Sequence, residues 1–229
     1  MSEPDKRRSI RSFVRREGRM TPAQTRSLTQ LWPRYGIPVG EAPLDWPTVF
    51  GRRAPVIIEI GFGNGEALAA VAAEHPENNY LGIEVHRPGA GSLLRLLEAG
   101  QLSNVRIMLA DAKEVLDAQI PDASLTAVHL FFPDPWPKRR HHKRRLVQPD
   151  FAALTVRKLI PGGYFHLATD WQDYAEHMAT VLSRTPGLTD VSGSVRFSAL
   201  ATSRRQTRFE RRGRRLGHAV RDLVFQRAD

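Results

Sequence analysis

The chain of 229 residues has no cysteine, which excludes disulfides, thiolate zinc sites and a cysteine nucleophile together. Long apolar runs are missing as well. The longest, Leu125 to Phe132, is eight residues and already contains Thr126 and His129. Crossing a membrane takes roughly 18–20. The first twenty residues carry charge but no apolar h-region, so no secretory signal is expected. Acidic side chains are scarce, 24 against 34 Lys and Arg, which leaves a net charge of +10. The apolar fraction of 41% is still enough for a sizeable core. A cytoplasmic protein without a membrane partner is expected, built as one domain with modest extensions.

The charge is unevenly spread. Residues 1–53 sum to +6, 54–137 to −7, 138–195 to +4 and 196–229 to +7. An acidic segment is thus flanked by basic ones, and the bases are mostly arginine, whose planar fork suits phosphate and guanine edges. That distribution is the electrostatic footprint of a polyanion partner. A merely solvated basic surface is the plainer alternative.

Residues 1–53 are rich in Arg, Pro and Gly and show no sustained period. They read as a basic arm, ordered in part where Trp32, Tyr35 and Trp46 dock. A second unit, 54–229, begins with the β-branched run Val56 to Ile60. Helical and strand patterns then alternate. Helices are expected over Glu66–Glu74, Leu93–Ala99, Ala112–Ala118, Phe151–Ile160 and Tyr174–Leu182. Further strands are expected over Tyr80–Val85, Val105–Leu109, Leu125–Phe132, Tyr164–Ala168, Val191–Phe197 and Ala219–Gln226. Such alternation predicts an α/β fold with a Rossmann-like, mostly parallel sheet, closed by an antiparallel C-terminal hairpin. Sheets of this kind bind ligands at the carboxyl ends of their strands.

Every polar signal of interest falls at such an end. Glu59-Ile-Gly61-Phe-Gly63-Asn-Gly65 follows the first strand and opens a helix. Its glycines permit a tight turn and a ligand against bare backbone. The spacing is not the G-x-G-x-x-G of a nicotinamide site, and the Lys and Ser/Thr of a P-loop are missing. Glu84 ends the second strand, placed to accept from ribose hydroxyls, and Asp111 ends the third, placed to accept from an adenine amino group. Acids at three consecutive strand ends suit an uncharged adenosine bearing a cationic sulfonium and would repel a pyrophosphate. They point to S-adenosylmethionine.

Prolines at 133, 135 and 137 bracket Asp134 and hold it on a stiff loop beside Trp136. Directly after come six cations in eight residues, Lys138 to Arg145, too dense for a core and suited to phosphate. His141 and His142 lack ligand spacing and belong to that basic surface; no metal site is expected. Ala168-Thr169-Asp170-Trp171 and Thr207-Arg208-Phe209-Glu210-Arg211-Arg212-Gly213 again mix acids, aromatics and, in the second, arginine.

With these stretches, EIGFGNG, GIEVHRPG, FFPDPWPKRRHHKRR, ATDW and TRFERRG, the chain resembles the bacterial tRNA (guanine-N7-)-methyltransferase family, a class I S-adenosylmethionine-dependent fold. The likeness runs from Arg11 to Phe225. It implies that Glu59, Gly61, Gly63, Gly65, Glu84, Asp111 and Asp134 hold the cofactor, with Asp134 also the catalytic candidate. It further implies that Lys138, Asp170, Thr207, Arg208, Phe209 and Glu210 hold the substrate. Arg140, His141, His142, Lys143, Arg144 and Arg145 would lie on tRNA. The implied product is 7-methylguanosine at position 46 of the variable loop, and a monomer is expected in preference to a homodimer.

Guanine N7 has an in-plane lone pair and no proton, so methylation there needs alignment and electrostatic stabilisation rather than a general base. Asp170 or Glu210 could accept from guanine N1–H and the 2-amino group and so select guanine. The competing readings are a methyltransferase acting on another RNA or a protein, and a noncatalytic RNA-binding module.

Overall fold

The computed structural model describes residues 12–13, 18–194, 205, 207, 210, 217 and 219–228. Among these, strands β1 (Val56–Ile60), β2 (Asn79–Glu84), β3 (Val105–Leu109), β4 (Leu125–Phe131), β5 (Leu159–Thr169), β6 (Leu188–Asp190) and β7 (Arg221–Arg227) form one sheet in the order β3-β2-β1-β4-β5-β7-β6. The first five pair in parallel, and β7 pairs antiparallel with both β5 and β6. β1 is buried along its whole length, as its unbroken apolar run predicts for a strand covered on both faces.

Alternate residues of the strands feed two cores. Ile58, Val128, Phe165 and Phe225 pack with residues of α6 (Ala112–Ala118), α7 (Pro149–Lys158) and α8 (Gln172–Ser183). Ile57, Tyr80, Ile107 and Ala127 pack with α4 (Glu66–Glu74) and α5 (Arg87–Ala99) on the opposite face. The N-terminal segment joins both layers, Leu28 and Tyr35 packing in this second one and Ile37 and Trp46 in the first. Its helices α1 (Pro22–Gln30), α2 (Trp32–Tyr35) and α3 (Trp46–Phe50) start at prolines, and α1 has a capping box between Thr21 and Gln24. Tyr35 is wholly buried, and Ile37 N–H donates to Ile107 O at 2.8 Å, beside the Gly36–Ile107 bridge. Residues 20–50 are therefore packed against the sheet rather than set apart from it.

Four elements differ from the pattern in an instructive way. α5 begins at Arg87, six residues before the expected start, because Gly89 and Gly91 read as loop and act as packing residues. A Cβ on Gly89 would stand 2.1 Å from Gly63 O, and one on Gly91 2.8 Å from Gln24 O. α7 ends at Lys158 rather than Ile160, and β5 already begins at Leu159. Lys158 is tied to Asp122 at 2.6 Å, and Arg227 donates to Leu159 O. The strand then bulges through Pro161-Gly162-Gly163, where its register against β4 shifts. The strand expected over Val191–Phe197 is instead the shorter β6, upstream. Val191 to Ser194 turn away from it, and 195–197 lie outside the described residues.

Candidate active site

The carboxyl ends of β1 to β4 surround a cavity of about 710 Å³, the size of a small-molecule site. Gly61 and Gly63 line it with φ of +75° and +58°. Such values favour glycine, and a Cβ on either would meet nothing within 4 Å, so the backbone is bare on that side. Gly65, at φ +78°, has a different task. It does not line the cavity, and a Cβ there would strike Leu93 at 2.6 Å, so it serves the packing of α4 on α5.

Glu84 lines the cavity and also builds it. Its Oε2 accepts from Gly63 N–H at 2.9 Å, and its Oε1 accepts from Val85 N–H at 2.7 Å and His86 N–H at 3.0 Å. One carboxylate thus ties the glycine loop to the end of β2. Asp111 lines the cavity and caps α6, its Oδ1 accepting from Lys113 N–H at 2.9 Å. Asp134 completes the acidic wall from the end of β4. Glu59 is buried in β1 and does not itself form part of the cavity wall.

The Asp134 loop is stiffened as its prolines predict, and more. Phe132 and Trp136 adopt φ of +52° and +47°, unusual for any non-glycine side chain and here each followed by proline. Phe132 N–H donates to Ala168 O at 2.7 Å, linking the ends of β4 and β5. Trp136 donates its indole N–H to Ser12 O at 3.0 Å, and Ser12, Phe13, Gly18 and Met20 form one side of the cavity. Nothing in the composition or spacing of residues 1–53 places them there. The one visible hint is that the stretch from Arg11 onward belongs to the family likeness.

Residues Arg139–Arg144 form a 3₁₀ helix following Lys138. Lys138, Arg139, Arg140 and Lys143 are exposed, and Arg144 lies over the Trp136 ring, 4.6 Å from its centroid. His141 has a pKa below its ordinary value, through desolvation first and then the nearby cations, Arg140 foremost. Arg and Lys supply the permanent positive charge of this face.

Arg145 must be taken out of the RNA-binding set. It is 2% exposed, donates from Nε to Pro135 O at 2.9 Å, pairs with Asp173 and lies over Tyr174 at 4.9 Å. Its guanidinium braces the Asp134 loop from behind and has no surface left for phosphate. The hydrogen bond from Arg145 holds the Asp173 carboxyl below its usual range, while burial pushes the Tyr174 hydroxyl up to about 12.

Lys138, Asp170, Thr207 and Glu210 lie outside the cavity wall. Asp170 follows β5, next to the end of β4 that carries Asp134. Glu210 is buried, and its N–H donates to Thr207 Oγ1 at 3.1 Å. Arg208 and Phe209 fall outside the described residues. Among the described residues no group of three or more His, Asp or Glu could hold a metal, and no helix is long and apolar enough to cross a membrane.

A parallel β3-β2-β1-β4-β5 sheet with an antiparallel β7, bearing an acidic cavity above a glycine turn, defines a class I methyltransferase. Solved structures share the fold. The aminoglycoside resistance methyltransferase NpmB1 aligns with a TM-score of 0.50 at 18% identity, covering 78% of this chain and 90% of that one. The 16S rRNA methyltransferase KamB aligns with a TM-score of 0.50 at 14% identity, covering 94% and 97%. The family profile described as "Putative methyltransferase" matches residues 53–223. A tRNA (guanine-N(7)-)-methyltransferase of Alkalilimnicola ehrlichii is 59% identical over 97% of this chain and 94% of its own length. Those of Hydrogenovibrio crunogenus and Salmonella typhimurium are 54% and 53% identical, over 98% and 96% of this chain and 93% and 92% of their own lengths. The chain belongs to the tRNA (guanine-N(7)-)-methyltransferase family.

Proposed function

We propose that the chain methylates N7 of a guanine in tRNA, that S-adenosylmethionine is the donor, and that the target is the variable-loop guanine at position 46. The observation that carries the reading is the joining of Glu84, Asp111 and Asp134 around one cavity whose rim continues into an exposed cationic helix. The donor set fits the group. Carboxylates can accept from ribose hydroxyls and an adenine amino group, and three of them favour a cation. S-adenosylmethionine bound there supplies an electrophilic methyl group on a positively charged sulfonium.

The rest is the work of this chain's residues. Gly61 and Gly63 admit the cofactor against bare backbone, Glu84 and Asp111 fix its orientation, and Glu59, buried near the end of β1, precedes the glycine turn. Asp134 stands where the substrate base must enter, and it stabilises the positive charge that moves to the guanine ring. No side chain has to remove a proton, because N7 carries none. Lys138, Asp170 and Thr207 hold the substrate, with Arg208 and Phe209; Glu210, buried, is tied through its N–H to Thr207 Oγ1; and the cations of 139–144 hold the phosphates. The basic arm proposed for residues 1–53 contributes its packed portion to the cavity wall.

Mass spectrometry of nucleosides from tRNA incubated with the protein and S-adenosylmethionine tests this. The expected product is 7-methylguanosine, lost when guanine 46 is replaced by 7-deazaguanine. Methylation of that RNA, or a methylated nucleoside other than 7-methylguanosine, overturns the reading.

A further inference from the structure

The chain has four tryptophans, and three are accounted for. Trp32 and Trp46 pack against the two cores, and Trp136 is held by Ser12 and covered by Arg144. Trp171 differs. It is 37% exposed and makes no ring or cation contact among the described residues.

We infer that Trp171 is a stacking platform for the tRNA nucleobase adjoining the target guanine. The inference rests on the methyl-transfer reading above. Three observations carry it. The first is placement: Trp171 directly follows Asp170 at the end of β5, the strand beside the one that ends in the Asp134 loop. Two residues on, Asp173 pairs with Arg145, which braces that loop at Pro135 O. Trp171 therefore lies at the same carboxyl edge of the sheet as the Asp134 loop, one strand over.

The second is rigidity. Trp171 N–H donates to Thr169 Oγ1 at 3.2 Å, and its carbonyl accepts from Tyr174 N–H at 3.1 Å and Ala175 N–H at 3.0 Å. A platform must be pre-ordered, and this backbone is pinned on both sides. The third is the residue type. Trp171 occupies the N-cap of α8 and makes no side-chain cap. Ser, Thr, Asp or Asn there would stabilise the helix. An indole in that position serves neither the helix nor the core.

The chemistry follows from extraction of the base. Drawing a guanine out of a folded RNA breaks its stack on both neighbours. A flat aromatic face restores one of those stacks without reading sequence, since every base has a π-face. Such a platform lowers the cost of holding the guanine in the site and leaves the transfer step itself to Asp134.

The full-length protein tests this through tRNA affinity and single-turnover rate. Trp171→Ala and Trp171→Leu should weaken tRNA binding about 5- to 150-fold, the worth of one base on an aromatic ring, whereas Trp171→Phe retains most of it. The affinity for S-adenosylmethionine should stay near wild type, since the platform meets the RNA and not the cofactor. A tRNA abasic on one side of the target guanine should bind the wild type more weakly but bind Trp171→Ala no worse than intact tRNA does. Losses that simply add, or Leu binding as well as Phe, overturn the platform. If the wild type forms no 7-methylguanosine at all, it is the reading beneath it that fails.

Discussion

Glu84 shows why a site carboxylate can be indispensable for two reasons at once. Its position at a strand end suggests a ribose partner, yet its oxygens already accept from three backbone N–H groups. Glu84→Gln would turn an amide N–H₂ toward a donor, leaving a half-buried clash of the kind that costs about 1 kcal/mol or more. The variant should lose thermal stability and S-adenosylmethionine affinity together, by melting and calorimetry. Unchanged affinity would remove Glu84 from the site. Asp134 should behave otherwise. Its side chain is exposed on the loop after β4, so Asp134→Ala should keep its melting temperature and lose at least tenfold in turnover, about 1.4 kcal/mol of transition-state stabilisation. Retention of more than a tenth of wild-type turnover would contradict its role.

The 3₁₀ helix and its flanks divide cations by burial, which no count of charges reveals. Replacing exposed Arg139, Arg140 and Lys143 by neutral residues should weaken tRNA binding and flatten its dependence on log salt, by roughly 0.7–0.9 per lost phosphate contact. Arg145→Ala should leave that slope alone, destabilise the fold by about 2–4 kcal/mol, and slow turnover through a loosened Asp134 loop. An altered salt slope for Arg145→Ala would restore it to the RNA surface. The pair with Asp173 also has a sign in pH. The carboxyl lies below its ordinary value when folded, so its stabilising effect is full above an unfolded carboxyl's pKa of about 3.9. It is lost as pH falls through the lowered value. Melts between pH 6 and 3 should show that loss, diminished in Asp173→Asn. Element boundaries tell a similar story. β1, β3, α4 and α6 are legible residue for residue, because their apolar period and their flanking turns agree. α5 and β5 are not, because Gly89, Gly91 and Gly163 look like punctuation until a neighbouring backbone explains them.

For the molecule as an enzyme, the absence of a proton on N7 makes a kinetic prediction. The single-turnover rate should level off once the carboxylates are ionised and remain flat toward higher pH, with no ionisation near that of guanine N1. A rate that keeps rising with pH would call for a general base and another site of attack. The chain's linear order already contains much of this: alternating elements, acids at three strand ends, prolines around Asp134 and a run of cations. These are local facts, written in spacing and residue type, and the family likeness is written in the same stretches. Three things required the folded chain. The N-terminal segment walls the cavity through Ser12, Phe13 and Met20, a contact across more than a hundred residues to the Trp136 that holds it. Gly65 serves packing where Gly61 and Gly63 line the cavity, although the three alternate identically in sequence. Arg145 is a brace and Arg140 lies at the surface, though both sit in one basic run. Residue type and spacing specify which chemistry is on hand; burial and long-range partners, which arise only when distant segments pack, assign it to ligand, RNA or scaffold.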